Sequence, residues 1–379
     1  MENRPIYNEE HRIFREAVRK FCAREIEPNS EAWDDLGQLP DTFWPRAGDQ
    51  GLLCPQVAEE YGGVGGDFYY NAIVAEEFAY TGASGLVGVS VHSDICCGYI
   101  ANYGSVAQKE TWLPRMVSGQ TVAAIAMTEP GTGSDLQAIR TTAIADGDDY
   151  LINGTKTFIS NGQCADLIIV VAKTDPAEKA RGISLFLVEA GRDGFSRGRN
   201  LKKIGLKGQD TSELFFDDVR VPATNLLGGL GEGFIQLMQE LPQERLSLAV
   251  GAAAAAQRAF DITLDYVRQR KAFGKPVADF QNSRFKLAEM KTQLAVGWAF
   301  VDQCIVRHAA GELGVDGAAM AKLWLSEMQG RVTDECLQLH GGYGFMSEYL
   351  IGRLYTDARV QRIYGGTSEI MKELISRAL

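Results

Sequence analysis

The sequence predicts an α+β protein, mainly helical, with a helical N-terminal domain, a middle β-barrel or sheet domain and a C-terminal four-helix bundle. Two observations support this prediction. Helical patterns fill both ends of the 379-residue chain, whereas short β-rich runs separated by Gly, Asp and Asn fill its middle. We expect the three domains at residues 1–120, 121–226 and 227–379. A chain of this length fits two or three domains of about 150 residues each.

The N-terminal region shows the period of an amphipathic helix in EEHRIFREAVRKFCAREI. Five apolar residues share one stripe, with charged residues opposite: Ile13, Phe14, Val18, Phe21 and Ile26. A Gly-rich loop, EEYGGVGGDFYY, then precedes a second helical segment, NAIVAEEFAY. We therefore predict mostly helix up to about residue 120.

Four β-rich runs occupy the middle region: TVAAIAMTE, DYLINGTKTFI, ADLIIVVAK and GISLFLVEA. Turn residues separate these runs, which predicts a compact sheet or barrel. After Val221, Pro222 and the loop GGLGEG, three helical segments follow, each long enough to cross a domain. Three long helices in succession predict an up-and-down bundle.

Composition argues against several kinds of function. The net charge of −11 disfavours a nucleic-acid partner, which requires a basic face. Seven cysteines without C-x-x-C spacing fit buried free thiols in a reduced compartment, and the four separated histidines predict no metal site. The N-terminus lacks the apolar core of a secretory signal, and no apolar run reaches the roughly 18 residues of a membrane helix. We therefore predict a cytoplasmic protein without a membrane span.

Five short motifs connect the chain to a known family. They are MTEPGTGSD (127–135), NGTKTFISNG (153–162), RKAFGK (270–275), QLHGGYGF (338–345) and IYGGTSEI (363–370). In this order they resemble the acyl-CoA dehydrogenases over essentially the whole chain. The resemblance implies an FAD-containing oxidoreductase of fatty acid β-oxidation, with FAD between the β domain and the C-terminal bundle. It also implies a homotetramer, built as a dimer of dimers, and an electron-transfer flavoprotein as electron acceptor.

The first motif ends a β-rich run in a Gly-rich turn whose backbone N–H groups can approach a phosphate closely. By resemblance, Met127 and Thr128 lie against the isoalloxazine, and Thr128 bonds its pyrimidine edge. Gly133 and Ser134 meet the pyrophosphate, with Ser134 also near the CoA chain. Without the resemblance, the same residues fit an ordinary turn capped by Ser and Asp.

The second motif places Phe158 and Ser160 two residues apart, on one face of a predicted strand. The aromatic ring can pack against a flavin, and the hydroxyl can bond its N5. Many relatives carry Trp and Thr here, so both residues are mild departures from the family pattern. We expect altered redox tuning with flavin binding retained.

Two further motifs resemble contacts to the far end of the cofactor. In the family, residues equivalent to Arg270 and Phe273 reach the FAD of the neighbouring subunit, and the guanidinium suits phosphate oxygens. From the residues alone, a cationic helix C-cap explains Arg270 as well. Gln338, Gly341 and Gly342 resemble the loop around the adenine of that same FAD.

The last motif raises the question of the catalytic base. Thr367 has the pattern of a helix N-cap that receives a pyrophosphate, and Glu369 is expected to help place the cofactor. Many members of the family carry the catalytic glutamate two residues before this threonine. Here that position is Gly365, whose side chain cannot remove a proton.

Glu244, in LPQERL at the start of the first long bundle helix, is the predicted replacement. Members that resemble the long-chain and isovaleryl-type dehydrogenases carry the glutamate on this helix and a small residue in the tail loop. Glu240 is the nearest competitor, one helical turn earlier. Arg245 is expected to support the base and the CoA chain, and Gly365 to keep its main-chain N–H for the substrate.

The implied reaction is removal of the α-proton by Glu244 as the β-hydrogen leaves as hydride to flavin N5, which gives a trans-2-enoyl-CoA. Three alternatives stay open. They are an acyl-CoA oxidase, a flavin-dependent monooxygenase on the same scaffold and a non-catalytic subunit of a mixed complex. The sequence does not predict the length or branching of the acyl chain.

Overall fold

The computed structural model describes residues 4–379, and its seven N-terminal helices account for most of the first 120 residues. These helices are α1 Glu9–Phe21, α2 Ser30–Leu36, α3 Phe43–Gly48, α4 Phe68–Thr81, α5 Val87–Ser90, α6 Cys97–Tyr103 and α7 Val106–Val117. Two single π-helical turns, Cys22–Ile26 and Val91–Cys96, interrupt the regular helix.

The predicted apolar stripe of α1 is correct except at its first position. Val18, Phe21 and Ile26 are buried, and Phe14 packs at the edge of the same core. Ile13, in contrast, is 64% exposed. Buried ion pairs explain the difference, because Arg15 reaches Glu76 and Glu77 of α4 and turns that face of the helix inward. The periodicity of apolar residues alone does not reveal a charged residue on the buried side.

The middle region forms one eight-stranded sheet and not a barrel. Its strands are β1 Ala123–Ala126, β2 Thr142–Asp146, β3 Asp149–Ser160, β4 Leu167–Lys173, β5 Ile183–Glu189, β6 Phe195–Asn200, β7 Thr211–Pro222 and β8 Leu226–Leu227. Their order is β6-β7-β3-β2-β4-β5-β8, with β1 paired to β4 in parallel. The sheet therefore stays open between β6 and β8. The four predicted runs correspond to β1, β3, β4 and β5, whereas β2, β6, β7 and β8 were missed.

Three long helices dominate the remainder of the chain, as predicted. They are α8 Gly233–Gln269, α9 Gln281–Ala309 and α10 Val315–His340. The short strands β9 Lys271–Ala272 and β10 Lys275–Pro276 form a hairpin between α8 and α9, and α11 Leu350–Ala358 and α12 Ser368–Ser376 pack on α10. The helical, β and helical regions are confirmed, and their boundaries at residues 120 and 226 stay predictions.

Helix α8 connects the separate parts of the molecule. Its run of alanines between Ala252 and Ala256 is buried, which lets α4 and α10 approach its backbone closely. The N-terminal half of α8 also packs on the π turn Val91–Cys96 and on β5. One helix thus carries side chains from the sheet to the centre of the bundle.

Candidate active site

A cavity of about 350 Å³ lies where the ends of β1 and β3 meet α8 and the tail loop. Nine of the predicted site residues line it together: Met127, Thr128, Gly133, Ser134, Phe158, Ser160, Glu244, Arg245 and Gly365. They come from four segments that are far apart in the sequence. The fold therefore brings the predicted flavin contacts, the predicted base and the glycine of the tail loop to one place.

Glu244 is the only carboxylate of α8 that lines this cavity within the described chain. Its side chain is 5% exposed, and the hydroxyl of Tyr99 donates a hydrogen bond to its Oε1 at 2.9 Å. Burial raises the pKa of Glu244 to about 7, against the lowering effect of Tyr99. A carboxylate with this pKa can accept a proton near neutral pH, which suits a general base.

The competing acids have other surroundings. Glu240 is buried, but it accepts a hydrogen bond from Asn102 at 2.8 Å and is absent from the cavity lining. Glu369 stands in the first turn of α12 with its side chain in solvent, and local hydrogen bonds lower its pKa. Neither carboxylate combines burial with access to the cavity.

The tail loop has left-handed backbone at two successive glycines, Gly365 (φ 63°) and Gly366 (φ 96°). A Cβ added at Gly365 would lie 2.5 Å from Cδ1 of Leu248, one helical turn beyond Glu244 on α8. Leu248 thus occupies the space that a side chain at 365 would need. Glycine at 365 and an acid on the neighbouring helix are structurally compatible in this arrangement.

Two cations hold the carbonyl groups of this loop. Nε of Arg245 donates to the Gly365 oxygen at 3.2 Å, and Nζ of Lys322 on α10 donates to the Gly366 oxygen. Burial lowers the pKa of both side chains, that of Lys322 to about 8. With its carbonyl fixed in this way, Gly365 has an N–H that makes no hydrogen bond within the described chain.

A buried ion pair fixes the loop after β1. Nζ of Lys156 donates to Oε1 of Glu129 at 2.9 Å and to the Met127 carbonyl at 3.1 Å. The carbonyl of Thr128 accepts the N–H of Thr157 at 2.9 Å. These bonds hold the backbone of Met127 and Thr128 and leave the Thr128 hydroxyl without a hydrogen bond to any described residue.

Phe158 lies at an irregularity of β3, where the register against β7 shifts between Lys156 and Ile159. Its φ of 58° is strained for an aromatic residue, and its ring is 67% exposed beside the cavity. The predicted shared face with Ser160 therefore arises from a bulge and not from regular strand alternation. An exposed aromatic ring at a cavity wall, on a strained backbone, suits stacking against a flat ligand.

The residues present fit the FAD that the resemblance implies. The hydroxyls of Thr128, Ser134 and Ser160 line the cavity as free donors, and a Cβ at Gly131 would meet no atom within 4 Å. An adjoining cavity of about 820 Å³ shares Thr128, Ser134 and Ser160 and extends to Thr367. Thr367 caps α12, as predicted, because its side chain accepts the N–H of Ile370. The two cavities together offer an aromatic face, hydroxyl donors and a helix N-terminus.

A separate cavity of about 540 Å³ collects the residues predicted for the adenine end: Arg270, Gln338, Gly341 and Gly342. The Arg270 guanidinium lies 5.6 Å from the centre of the Tyr343 ring. Phe273, at the turn of the β9–β10 hairpin, lines none of these three cavities and is 97% exposed. Glu369 lines none of them either. The Phe273 ring is thus a large apolar group that the single chain leaves in solvent.

Several residues of the site had no signal in the sequence. Three helices contribute such residues to the site: Tyr99, Leu248 and Lys322. Their local sequences contain no pattern that predicts a role in the site. The pair of Glu129 and Lys156 lies within two recognised motifs, but its burial depends on how the strands pack. Such contacts become visible only when the fold is known.

Family comparisons agree with this geometry. Models described as the N-terminal, middle and C-terminal domains of acyl-CoA dehydrogenase match residues 8–120, 124–219 and 231–379. The chain belongs to the acyl-CoA dehydrogenase family.

Three individual relatives illustrate how similar the chain is to other members of the family. The long-chain specific acyl-CoA dehydrogenase, mitochondrial, of Sus scrofa is 54% identical over 378 residues, covering 99% of this chain and 88% of the relative. The crystal structure of an acyl-CoA dehydrogenase from Geobacillus kaustophilus has a TM-score of 0.97 and 52% identity, covering 99% of both chains. A glutaryl-CoA dehydrogenase from Mycobacterium smegmatis, in complex with FADH2, has a TM-score of 0.93 and 31% identity, covering 98% of this chain and 95% of that one.

Within residues 4–379, no helix is long and apolar enough to cross a membrane. In the same residues, no group of three or more His, Cys, Asp or Glu side chains could hold a metal ion. All seven cysteines are free, and all except Cys164 are buried.

Proposed function

We propose that the protein is a long-chain acyl-CoA dehydrogenase, which uses FAD and Glu244 to convert an acyl-CoA thioester into its trans-2-enoyl-CoA. The observation that carries this proposal is the buried Glu244 carboxylate on the wall of the cavity that also contains Gly365 and the predicted flavin contacts. The alternatives of an oxidase and a monooxygenase gain no specific support from the site. A non-catalytic role is disfavoured by the buried base.

Thr128, Ser134, Phe158, Ser160 and Thr367 would hold the flavin half of FAD and its pyrophosphate. When bound, FAD supplies the acceptor for the β-hydride. Arg270, Phe273, Gln338, Gly341, Gly342 and Glu369 are proposed, by resemblance, to contact or place the remainder of the cofactor. Because the cavity with Arg270, Gln338, Gly341 and Gly342 is separate from the cavity with Glu244, we attribute the contacts of these four residues to the FAD of a second subunit.

Proton removal is the task of Glu244. Its Oε1 accepts the Tyr99 hydroxyl, which fixes the carboxylate and leaves its second oxygen for the substrate. Burial in these dry surroundings keeps the pKa of Glu244 near neutral pH. A base with such a pKa can be ionised before it removes the proton and protonated afterwards.

Charge that develops on the thioester oxygen requires donors that are already in place. The free N–H of Gly365 is the proposed protein donor. Arg245 anchors the loop through its bond to the Gly365 carbonyl, which belongs to the following peptide group. Lys322 fixes the next peptide group in the same way. The substitution of the usual glutamate by glycine therefore removes an acid from the loop and keeps the main-chain donor.

The space for the acyl chain supports a long substrate. A second cavity, of about 110 Å³, adjoins the first and shares Ser90, Leu248 and Tyr364 with it. On α8 the lining continues to Gly251 and Ala255. Eleven residues of helix between Glu244 and Ala255 correspond to about 16 Å. Phe78 lines this cavity, whereas Tyr80 and His92 do not.

Partners and location form the remaining part of the proposal. An electron-transfer flavoprotein is the proposed acceptor for the electrons, as the family resemblance implies. The dimer-of-dimers tetramer is supported by the exposed Phe273 and by the division of the proposed cofactor contacts between two cavities with different lining residues. Seven free cysteines support a reducing compartment, for which we propose the cytoplasm.

The proposed function is tested by mixing the purified yellow protein with palmitoyl-CoA in the absence of oxygen. We expect the flavin absorbance to bleach and an enoyl-CoA to form in equal amount. An electron-transfer flavoprotein or a ferrocenium salt should then restore the colour much faster than air. Rapid re-oxidation by oxygen alone would favour the oxidase, and no bleaching with any acyl-CoA would refute the proposal.

The pH dependence of kcat/KM should report Glu244. Because only the ionised carboxylate accepts a proton, kcat/KM is expected to rise about tenfold per pH unit below a pKa of about 7 and to level off above it. Tyr99→Phe removes a donor that favours the ionised form, so the rising limb should move to higher pH by on the order of 1 unit. Tyr103→Phe is the control, since Tyr103 donates to Gln239 and not to Glu244. A limb that is the same in all three proteins would contradict this assignment.

The double substitution Glu244→Gly with Gly365→Glu tests whether both positions reach one α-carbon. We expect activity above that of Glu244→Gly alone, measured with long-chain acyl-CoA, because the new glutamate can use the space of the displaced Leu248 side chain. Recovery should be partial, since a non-glycine residue at the φ of Gly365 costs about 1 kcal/mol. A correctly folded, FAD-containing double variant without any recovery would argue against shared geometry.

A further inference from the structure

The cavity beyond Glu244 contains a buried acid for which the proposed reaction has no use. Asp94 lies in the π turn Val91–Cys96, lines this cavity and is 6% exposed. The surrounding wall is mostly apolar and includes Phe78 and Leu354. An alkyl chain alone would gain nothing from a carboxylate there, and burial of a carboxylate is unfavourable unless it finds partners.

Asp94 is held by neutral donors only. Its Oδ1 accepts Nδ2 of Asn71 at 2.7 Å, and its Oδ2 accepts the hydroxyl of Ser90 at 2.6 Å. No Lys, Arg or His side chain lines the cavity among residues 4–379, whereas a second carboxyl, Asp357, does. Burial raises the pKa of Asp94 to about 6, so that the group is mostly ionised at neutral pH.

The position of this acid relative to the reaction follows from α8. Ser247 lines the same cavity three residues after Glu244, an axial distance of about 4.5 Å along the helix. Its hydroxyl lies near enough to lower the pKa of Asp94, yet it makes no hydrogen bond of good geometry. Ser90 lines both the cavity with Glu244 and the cavity with Asp94. Ser247 and Asp94 therefore lie beyond Glu244, at a distance that a few carbons of an acyl chain would span.

Unpartnered oxygens concentrate around this cavity. Five of its lining side chains contain a buried oxygen without a hydrogen-bond partner: Asn71 Oδ1, Ser247 Oγ, Gln329 Oε1, Gln361 Oε1 and the Tyr364 hydroxyl. Buried polar groups are normally satisfied, so such a concentration indicates a polar occupant. The volume of about 110 Å³ greatly exceeds the ~10–15 Å³ that one water requires.

We propose that Asp94 and Ser247 form a hydroxyl-binding subsite, and that the preferred substrates are acyl-CoA thioesters with a hydroxyl group a few carbons beyond the α and β carbons. A hydroxyl donates to the carboxylate of Asp94 and accepts from Ser247 with the same oxygen. This inference rests on the proposed acyl-CoA dehydrogenase function and specifies its substrate class.

Other occupants fit less well. An acyl chain with a terminal carboxylate would bring a further negative charge into an apolar cavity that Asp94 and Asp357 already line, which is unfavourable. An ammonium group would lose its hydration on entry into this mostly apolar cavity, and burial of a charged group costs more than burial of a hydroxyl. Water alone could satisfy the same oxygens, and the substrate comparison below decides between water and a hydroxylated chain.

The experiment compares dodecanoyl-CoA with forms that carry one hydroxyl at carbons five to eight, and with the form that ends in a carboxylate. We expect kcat/KM of the best hydroxylated isomer to exceed that of dodecanoyl-CoA by about tenfold or more, as for one hydrogen bond to a charged group. The terminal carboxylate should give the lowest value. Non-reactive thioether analogues should show the same order of dissociation constants by calorimetry.

Asp94→Leu separates recognition from a structural effect. In this variant the ratio of hydroxylated to unsubstituted kcat/KM is expected to fall at least tenfold, mainly through loss on the hydroxylated substrate. A structural role alone would lower both values together and leave their ratio unchanged, which would overturn the subsite. If the variant does not fold, Ser247→Ala should lower the ratio several-fold, and Gly251→Ala, in the same wall without a polar atom, should not change it.

Measurements on the wild-type protein distinguish failure of the subsite from failure of the proposed function. Oxidation of dodecanoyl-CoA without any preference for a hydroxylated isomer would refute the subsite and leave the proposed function intact, with water as the occupant. Failure to oxidise any thioester would refute the proposed function and the subsite with it.

Discussion

Glu244→Gln is expected to retain FAD and to lose at least about 10³-fold of its turnover with long-chain acyl-CoA, the size associated with loss of a general base. Glutamine keeps the shape of the side chain and can still accept the Tyr99 hydroxyl, so the fold should not change. Steady-state rates with a ferrocenium acceptor, normalised to flavin content, measure the effect.

Glu240→Gln is the matched control for this substitution. Glu240 is buried one helical turn earlier on α8 and has a comparable bond to Asn102, but it does not line the cavity. We expect its turnover to stay within about threefold of wild type, because Glu240 does not face the substrate. A threefold change corresponds to a free energy smaller than that of one typical net hydrogen bond. Wild-type turnover in Glu244→Gln, or an equal loss in both variants, would contradict the role of Glu244.

Gly251→Leu should produce the second largest effect, a loss of about 10²-fold in kcat/KM for palmitoyl-CoA. A Cβ at this position meets only Ala79, at 3.8 Å, so the remainder of the leucine side chain would extend into the acyl cavity. Exclusion of about four methylene groups at about 0.8 kcal/mol each accounts for this magnitude. The rate with butyryl-CoA should change little, because a short chain ends before this point.

Gly251→Ala controls for the change in helix propensity. One methyl group makes an ordinary contact with Ala79, and alanine stabilises a helix relative to glycine by about 1 kcal/mol. We expect its chain-length profile to match the wild type and its melting temperature to rise slightly. Equal losses on palmitoyl-CoA and butyryl-CoA in Gly251→Leu would show that the cavity along α8 does not hold the acyl chain.

The relocated base is the part of the site that the sequence predicted best. Gly365 shows the absence of the usual acid, and Glu244 in LPQERL supplies a substitute 121 residues earlier (365 − 244). The structure places both residues on one cavity wall, a relation that no local pattern contains. Their roles in catalysis stay a prediction until the variants are measured.

Other features depend on packing that a one-dimensional pattern does not contain. The open edge between β6 and β8 could not be distinguished from a closed barrel, because alternation of residues is the same in both. The strain at Phe158 arises from a register shift against β7. The sequence around Asp94 contains no signal for a buried acid, and only the contacts with Asn71 and Ser90 reveal its burial.

Exchange of the α-proton tests the central claim most directly. A thioester in which sulfur replaces the β-carbon can lose its α-proton but no β-hydride, so its exchange in deuterated water, followed by NMR, reports the base alone. We predict rapid exchange with the wild type and with Glu240→Gln, and exchange at least about 10³-fold slower with Glu244→Gln. Exchange by Glu244→Gln at the wild-type rate would show that another group removes the proton.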